Sequence, residues 1–392
     1  MKSQRNTSIS PSRPIPNPCL SVFICGCLLL SACSGSGPSS PSTPIAGNAS
    51  MGVAPASVQA GTPYTAVESI EPWSYNGAEG RLVRTAHYRL FTTQHDSVLS
   101  ARVPLFLESA LAAYRTCITS SDPASSTETL PEPSLKLDTY ILRNRADWAL
   151  LTRQTTGEQA DLFLRIRRGG FAFGGKALLF DIGARDTLAI VAHEGWHQYT
   201  QRAFQRPLPI WLEEGMATYM EGYRFDAHGS ALFVPWFNVE RFDQLRRAAA
   251  NQKLMPLGAL LESAPQNLMG SGTDDALTYY AQVWAFTHFL DEGAGGKYHH
   301  GLATLLKDAA SGAIDAQLIR MFGAPDARRV LMARRGPGVF EAYFGDTAQA
   351  AGEYDAFMRQ LVHPGSRGSI VAGLSPLPAA PPNPRAAERP AP

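Results

Sequence analysis

Five consecutive residues, His193-Glu194-Gly195-Trp196-His197, carry the strongest chemical signal in the chain. On a helix, four residues are about 400° of turn, so His193 and His197 share a face one turn apart and both imidazoles can reach one metal ion. Glu194 sits one step round, where it meets a metal-bound water rather than the metal. Two histidines leave a tetrahedral Zn²⁺ one protein ligand short, with a fourth position open to that water. The competing reading is two histidines that pack or face solvent, so the neighbouring sequence has to decide.

The elements that must position these residues are legible. Asp186 or Thr187 offers an N-cap, and Leu188 to Gln201 contains no proline, so a helix is expected there. Leu208-Pro209-Ile210-Trp211-Leu212-Glu213-Glu214-Gly215-Met216-Ala217-Thr218-Tyr219 then puts a proline at a first helical position and runs as a second helix toward Gly222.

Together these segments resemble the gluzincin metallopeptidases, in which a Trp-Leu-x-Glu-Gly helix follows the HExxH helix and supplies a third zinc ligand. The family's glutamate directly precedes the glycine, which implies Glu214, with Glu213 as the fallback. Sixteen residues separate His197 from Glu214, slightly fewer than in the membrane-alanyl-aminopeptidase branch. Thr218 occupies the position from which such families orient a histidine ligand. The segment Lys176 to Ile182 lies where gluzincins place an edge strand that pairs with extended substrate. Tyr279-Tyr280-Ala281-Gln282-Val283-Trp284-Ala285 resembles the Tyr-x-Gln helix start of peptidase-MA-like proteins. That likeness implies a tyrosine donating to an oxyanion, Tyr280 rather than Tyr279, against the plainer reading of both as core aromatics. A GAMEN-like exopeptidase motif is missing, so an aminopeptidase mode is not implied.

Other chemical side chains read as structural. His288 on an apolar helix and His87 in a strand are expected to be satisfied structural histidines. His299-His300 follows a glycine-rich turn and reads as surface. Arg241 to Arg247 reads as the solvated face of a helix, with substrate-carboxylate binding as its alternative. Cys117 closes the apolar run Leu105 to Tyr114 and reads as a buried, inert thiol.

Leu82 to Thr93 and Leu135 to Leu142 have the β-branched and aromatic content of strands, whereas Val98 to Cys117 has helical spacing. Asp147 to Ile166 reads as a helix interrupted near Gly157. The run Gly169-Gly170-Phe171-Ala172-Phe173-Gly174-Gly175 lacks phosphate-loop spacing and is expected to be a set of hinges before the strand at Lys176. Strands first and helices after predict an α+β fold, a thermolysin-like gluzincin domain over 69–362 with a small N-terminal sheet bearing an edge strand and a mostly helical second half.

The flanks read differently. Lys2, Arg5 and Arg13 precede an apolar stretch, Cys19 to Leu30, that is too short to span a bilayer and ends in Leu30-Ser31-Ala32-Cys33. This resembles a bacterial lipobox, which implies a lipid on Cys33 and a place at the cell envelope, in the outer membrane where the host has two. Residues 34–68 have the Ser, Gly and Pro content of a tether, and 363–392 that of an unstructured Pro/Ala-rich tail. With 35 Lys+Arg against 34 Asp+Glu, the net charge of +1 leaves no basic block for nucleic acid. The expectation is a zinc-dependent peptide-bond hydrolase acting on a peptide or protein. The alternatives are a surface-anchored binding module with a structural zinc site and a zinc amidase acting on cell-wall peptides.

Overall fold

The computed structural model describes residues 67–118, 129–227, 229–268 and 273–378. The lipobox with Cys33, the tether up to residue 66 and the tail beyond 378 lie outside the described residues.

The chain opens with β1 (Ser69–Tyr75), β2 (Ala78–Arg84), β3 (Tyr88–Thr92), α1 (Ser97–Thr116), β4 (Leu137–Leu142), α2 (Arg145–Thr156), α3 (Ala160–Phe163), β5 (Gly170–Phe173) and β6 (Lys176–Phe180). The helical half follows with α4 (Ala184–Ala203) and α5 (Ile210–Tyr219). After a short hairpin of β7 (Tyr223–Phe225) and β8 (Ala231–Phe233) come α6 (Val239–Ala250), α7 (Leu257–Glu262), α8 (Pro265–Leu268) and α9 (Thr273–Gly296). Six more helices, α10 (His299–Ser311), α11 (Ile314–Phe322), α12 (Ala324–Ala333), α13 (Pro337–Phe344), α14 (Thr347–Leu361) and α15 (Ser366–Ala372), complete the α+β architecture.

The six-stranded sheet has the order β1-β2-β3-β4-β6-β5. Alternation along β6 shows how it sits between two helical layers. Leu178 and Phe180 join Trp148 of α2 and Phe163 of α3 in one cluster, while Ala177 and Leu179 join α1 and α4 in the main core. The Trp148 indole donates to the Leu178 carbonyl at 3.0 Å and fixes α2 on the outer face.

Three expectations about the sheet need correction. The single strand read over Leu82 to Thr93 is two strands, β2 and β3, and a further strand, β1, precedes them. Asn76 and Gly77 adopt φ of 49° and 72°, the left-handed pair that a tight hairpin turn demands, so Asn-Gly joins β1 to β2. Likewise the glycine-rich run is no mere hinge. Gly170–Phe173 is β5, and Gly174-Gly175, at φ 58° and 74°, turn it into β6. The segment at Lys176 is therefore not the edge strand. β6 pairs with β4 on one side and β5 on the other, so the edge on this side of the sheet is β5.

Boundaries also move. α4 starts at Ala184, so neither Asp186 nor Thr187 caps it. The Thr187 hydroxyl instead accepts the Ile182 N–H and donates to Asp181. α5 ends at Tyr219 rather than Gly222, with Pro209 as its N-cap residue. The expected unstructured tail carries a helix, α15, whose C-terminal Gly373 rests against Val234 and Phe237.

Candidate metal centre

Helix α4 is buried continuously from Leu188 to Thr200 apart from Ala189, an unusual place for two histidines and a glutamate. Its position is fixed from both sides. Gln198 accepts from the Thr139 hydroxyl at 3.1 Å and donates to the Asp138 carbonyl at 2.7 Å, which ties α4 to β4. From α1, the Tyr114 hydroxyl donates to the Ala192 carbonyl at 2.7 Å. A Cβ on Gly195 would lie 2.5 Å from that hydroxyl, so the glycine within the motif is what lets Tyr114 approach.

Helix α5 brings the carboxylates. A Cβ on Gly215 would meet the Thr287 hydroxyl at 2.4 Å and the Val283 carbonyl at 3.0 Å, so this glycine sets a close crossing of α5 and α9. The same crossing carries Glu214 and Tyr280 to the α4 histidines.

His193 Nε2 and His197 Nε2 each lie 3.6 Å from Glu214 Oε2, and His193, His197 and Glu214 are fully buried. One donor atom from each falls within 4.8 Å of the others, a possible metal-binding triad. Ligands about 2.1 Å from a tetrahedral ion stand about 3.4 Å apart, so the spacing suits a small divalent cation. Electrostatics agree. Burial alone would raise the Glu214 pKa, but the two imidazoles hold it down at about 2. Burial would lower His193, yet Glu214 and Glu221 outweigh it and raise its pKa. Glu194, Glu213, Glu214 and Glu221 are all buried around the two imidazoles, with the Arg241 guanidinium on Glu221.

The opposite ring nitrogens are held by two carboxylates that the sequence reading left out of this role. His193 Nδ1 is 2.9 Å from Glu221 Oε1, and His197 Nδ1 is 2.9 Å from Glu213 Oε1. Ionised carboxylates only accept, so each Nδ1 carries a proton, which leaves Nε2 as the ring nitrogen that would face a bound ion. Glu213 also accepts from the Thr200 hydroxyl at 2.7 Å. For Glu221, burial pushes the carboxyl up, but Arg241 and His193 bring it down to about 2.

Thr218, expected to orient a histidine, does something else. Its hydroxyl donates back to the Glu214 and Gly215 carbonyls at 2.9 and 2.8 Å. Glu213 lies behind His197 rather than in the triad, which separates it from Glu214. Arg241 is 1% exposed and not on a solvated face. His288 is buried against Trp236, with ring centroids 3.5 Å apart, and neither ring nitrogen has a hydrogen-bond partner among the described residues. Its Nδ1 lies 3.5 Å from Glu292 Oε1, in keeping with a structural role. His87 is satisfied by Glu108 and Glu132. His299 is half-buried on Asp291 at 2.8 Å, while His300 is exposed. Burial pushes the partly buried Cys117 thiol up, in keeping with an inert role.

Glu194 is fully buried beside the triad, and neither carboxylate oxygen is hydrogen-bonded to a side chain among the described residues. Burial raises its pKa to about 7, against the pull of both imidazoles and of the nearby Ala172 backbone on β5. A carboxyl poised near neutrality can take and return a proton. Tyr280 packs its ring 6.0 Å from that of His193, edge to face. Burial, with Glu214 and Glu194 nearby, pushes its hydroxyl well up, so it stays a donor. Tyr279 is its ring neighbour at 5.8 Å.

Residues 187–308 match a family described as "Protein of unknown function (DUF1570)". This span holds His193, Glu194, His197, Glu214, Glu221, Arg241 and Tyr280, so the matched region and the buried cluster coincide. No curated protein matches the chain.

Proposed function

We propose that this chain is a zinc-dependent peptide-bond hydrolase of the gluzincin kind. The observation that carries the reading is the convergence of His193, His197 and Glu214 beside Glu194, a fully buried carboxylate that no side chain pairs with among the described residues. A closed structural zinc site has no use for that fourth group and more often takes four Cys or His ligands.

The donor set of two imidazoles and one carboxylate suits zinc, which when bound lowers the pKa of water toward neutrality and polarises a carbonyl. Glu194 takes the proton of the attacking water as general base and hands it to the leaving amine. Tyr280 donates its hydroxyl proton in a hydrogen bond to the carbonyl oxygen as negative charge develops there. Glu213 and Glu221 hold the two histidines in the tautomer and orientation that the ion requires.

The test is metal analysis of the purified protein together with turnover of a mixed peptide library by wild type and Glu194→Gln. The substitution keeps shape and all three donors, so zinc should remain stoichiometric. Turnover should fall about 10²–10⁴-fold, roughly 3–5 kcal/mol of transition-state stabilisation. Full activity in Glu194→Gln would overturn the mechanism, and a zinc-loaded wild type inert across the library would favour a binding module.

The same proposal places the enzyme at a bacterial envelope through a lipid on Cys33. Its support is the Leu-Ser-Ala-Cys sequence; among the described residues no helix is long and apolar enough to cross a membrane. Cys33→Ser should shift the protein to the soluble fraction, and a mutant that stays with membranes would rule the anchor out.

A further inference from the structure

Arg241 sits in the first turn of α6, where Asn238 caps the helix by accepting the Arg241 N–H at 3.2 Å. Its guanidinium meets Glu221 fork to fork. Nε donates to Oε2 at 2.9 Å and Nη2 to Oε1 at 2.8 Å. The Asn238 amide adds a third donor to Oε2 at 3.0 Å, and His193 Nδ1 completes the set on Oε1. The remaining guanidinium nitrogen donates to Gln244 at 3.1 Å. The Arg241 guanidinium carbon also stands 5.2 Å from the Tyr280 ring centroid.

Every oxygen of Glu221 is therefore directed from two sides, and three of those four contacts come from α6 and its N-cap. A carboxylate held this way cannot rotate without breaking a charge-assisted pair, so the imidazole it orients cannot rotate either. Lysine in place of Arg241 would supply charge but not the planar fork. His197 has a looser arrangement, since Glu213 is directed by one hydroxyl.

We propose that Arg241 is a positioning residue of the metal centre, acting through Glu221 to hold His193 Nε2 toward the ion. The inference rests on the zinc reading given above. It assigns α6 a part in metal retention although α6 supplies no ligand.

A double-mutant cycle tests it, using the full protein and zinc alone as the probe. Zinc affinity is measured by competition with a chromophoric chelator for wild type, Arg241→Met, Glu221→Gln and the double variant, with circular dichroism of each metal-free protein as the folding check. Each single change is expected to weaken zinc about 10–100-fold. The double variant should lose no more than the worse single, because both act on one ring. Losses that multiply, or unchanged affinity in Arg241→Met, would overturn the proposal. Should Arg241→Met fail to fold, Arg241→Lys replaces it, read by the visible spectrum of the cobalt-substituted protein. A ligand-field change relative to wild type and to the exposed control Arg247→Lys supports the inference, and an unchanged spectrum overturns it. If folded wild type binds no zinc, the metal reading itself has failed and this inference falls with it; wild-type binding with an additive cycle sinks only the role of Arg241.

Discussion

Glu213 stands directly behind His197, its Oε1 2.9 Å from Nδ1, while the residue next to it in sequence approaches the same ring from the other side. Two adjacent carboxylates on one helix thus flank a single imidazole, because neighbours on a helix point about 100° apart.

This relationship grades the two mutants. Glu214→Ala removes a donor and should abolish stoichiometric zinc. Glu213→Ala removes a ring partner and should weaken zinc about 10–100-fold without abolishing it. Titration of both proteins with zinc checks the order, and stronger loss in Glu213→Ala would reverse the assignment.

Tyr280 and Tyr279 are separated by the ring that faces His193. Tyr280→Phe should keep zinc and lower turnover about 10²-fold or more, the usual consequence of losing one oxyanion donor. Tyr279→Phe should leave turnover near wild type. Equal effects would return both rings to the core.

The tight crossing at Gly215 makes a stability prediction. Alanine is the better helix former by about 1 kcal/mol. At 2.4 Å from the Thr287 hydroxyl, however, its Cβ forces the helices apart, and overpacking of this kind costs about 1–3 kcal/mol. Gly215→Ala should therefore lower the thermal midpoint, and adding Thr287→Ala should recover part of the loss. A midpoint equal to or above wild type in the single variant contradicts the crossing.

His87 bridges Glu108 at 2.6 Å and Glu132 at 2.8 Å. Burial lowers its pKa, but the two carboxylates outweigh that and raise it above the ordinary value of about 6.5. The stability from this clamp is fully present below about pH 6.5 and fades as pH rises through the raised value. Chemical denaturation of wild type and His87→Gln across that range should show the difference shrinking with pH. A pH-independent difference would mean the clamp carries no charge.

The sequence made the candidate triad readable because helical periodicity puts residues four apart on one face, and the resemblance to gluzincins singles out Glu214 by the glycine after it. What it concealed was the identity of long-range partners. Glu221 follows α5 rather than lying within it, and only the position of α6 shows that Arg241 points inward. Arginines at 241, 246 and 247 look like one solvated stripe until the buried first member is distinguished from the exposed last. The Asn76-Gly77 turn was a local signal, and it fixes β1 without any tertiary information. The edge position of β5 was not local, since pairing order depends on β4 and β6 meeting across more than thirty residues of chain.

The three donors of the triad fall within twenty-two consecutive residues, on two helices joined by one short connection. Closing such a loop costs little chain entropy, although β4, α1 and α9 still fix how its two helices sit. The tyrosine and arginine that flank it arrive from α9 and α6, and depend on packing across the whole helical half. The candidate donors and the groups that flank them thus come from very different spans of chain in this fold.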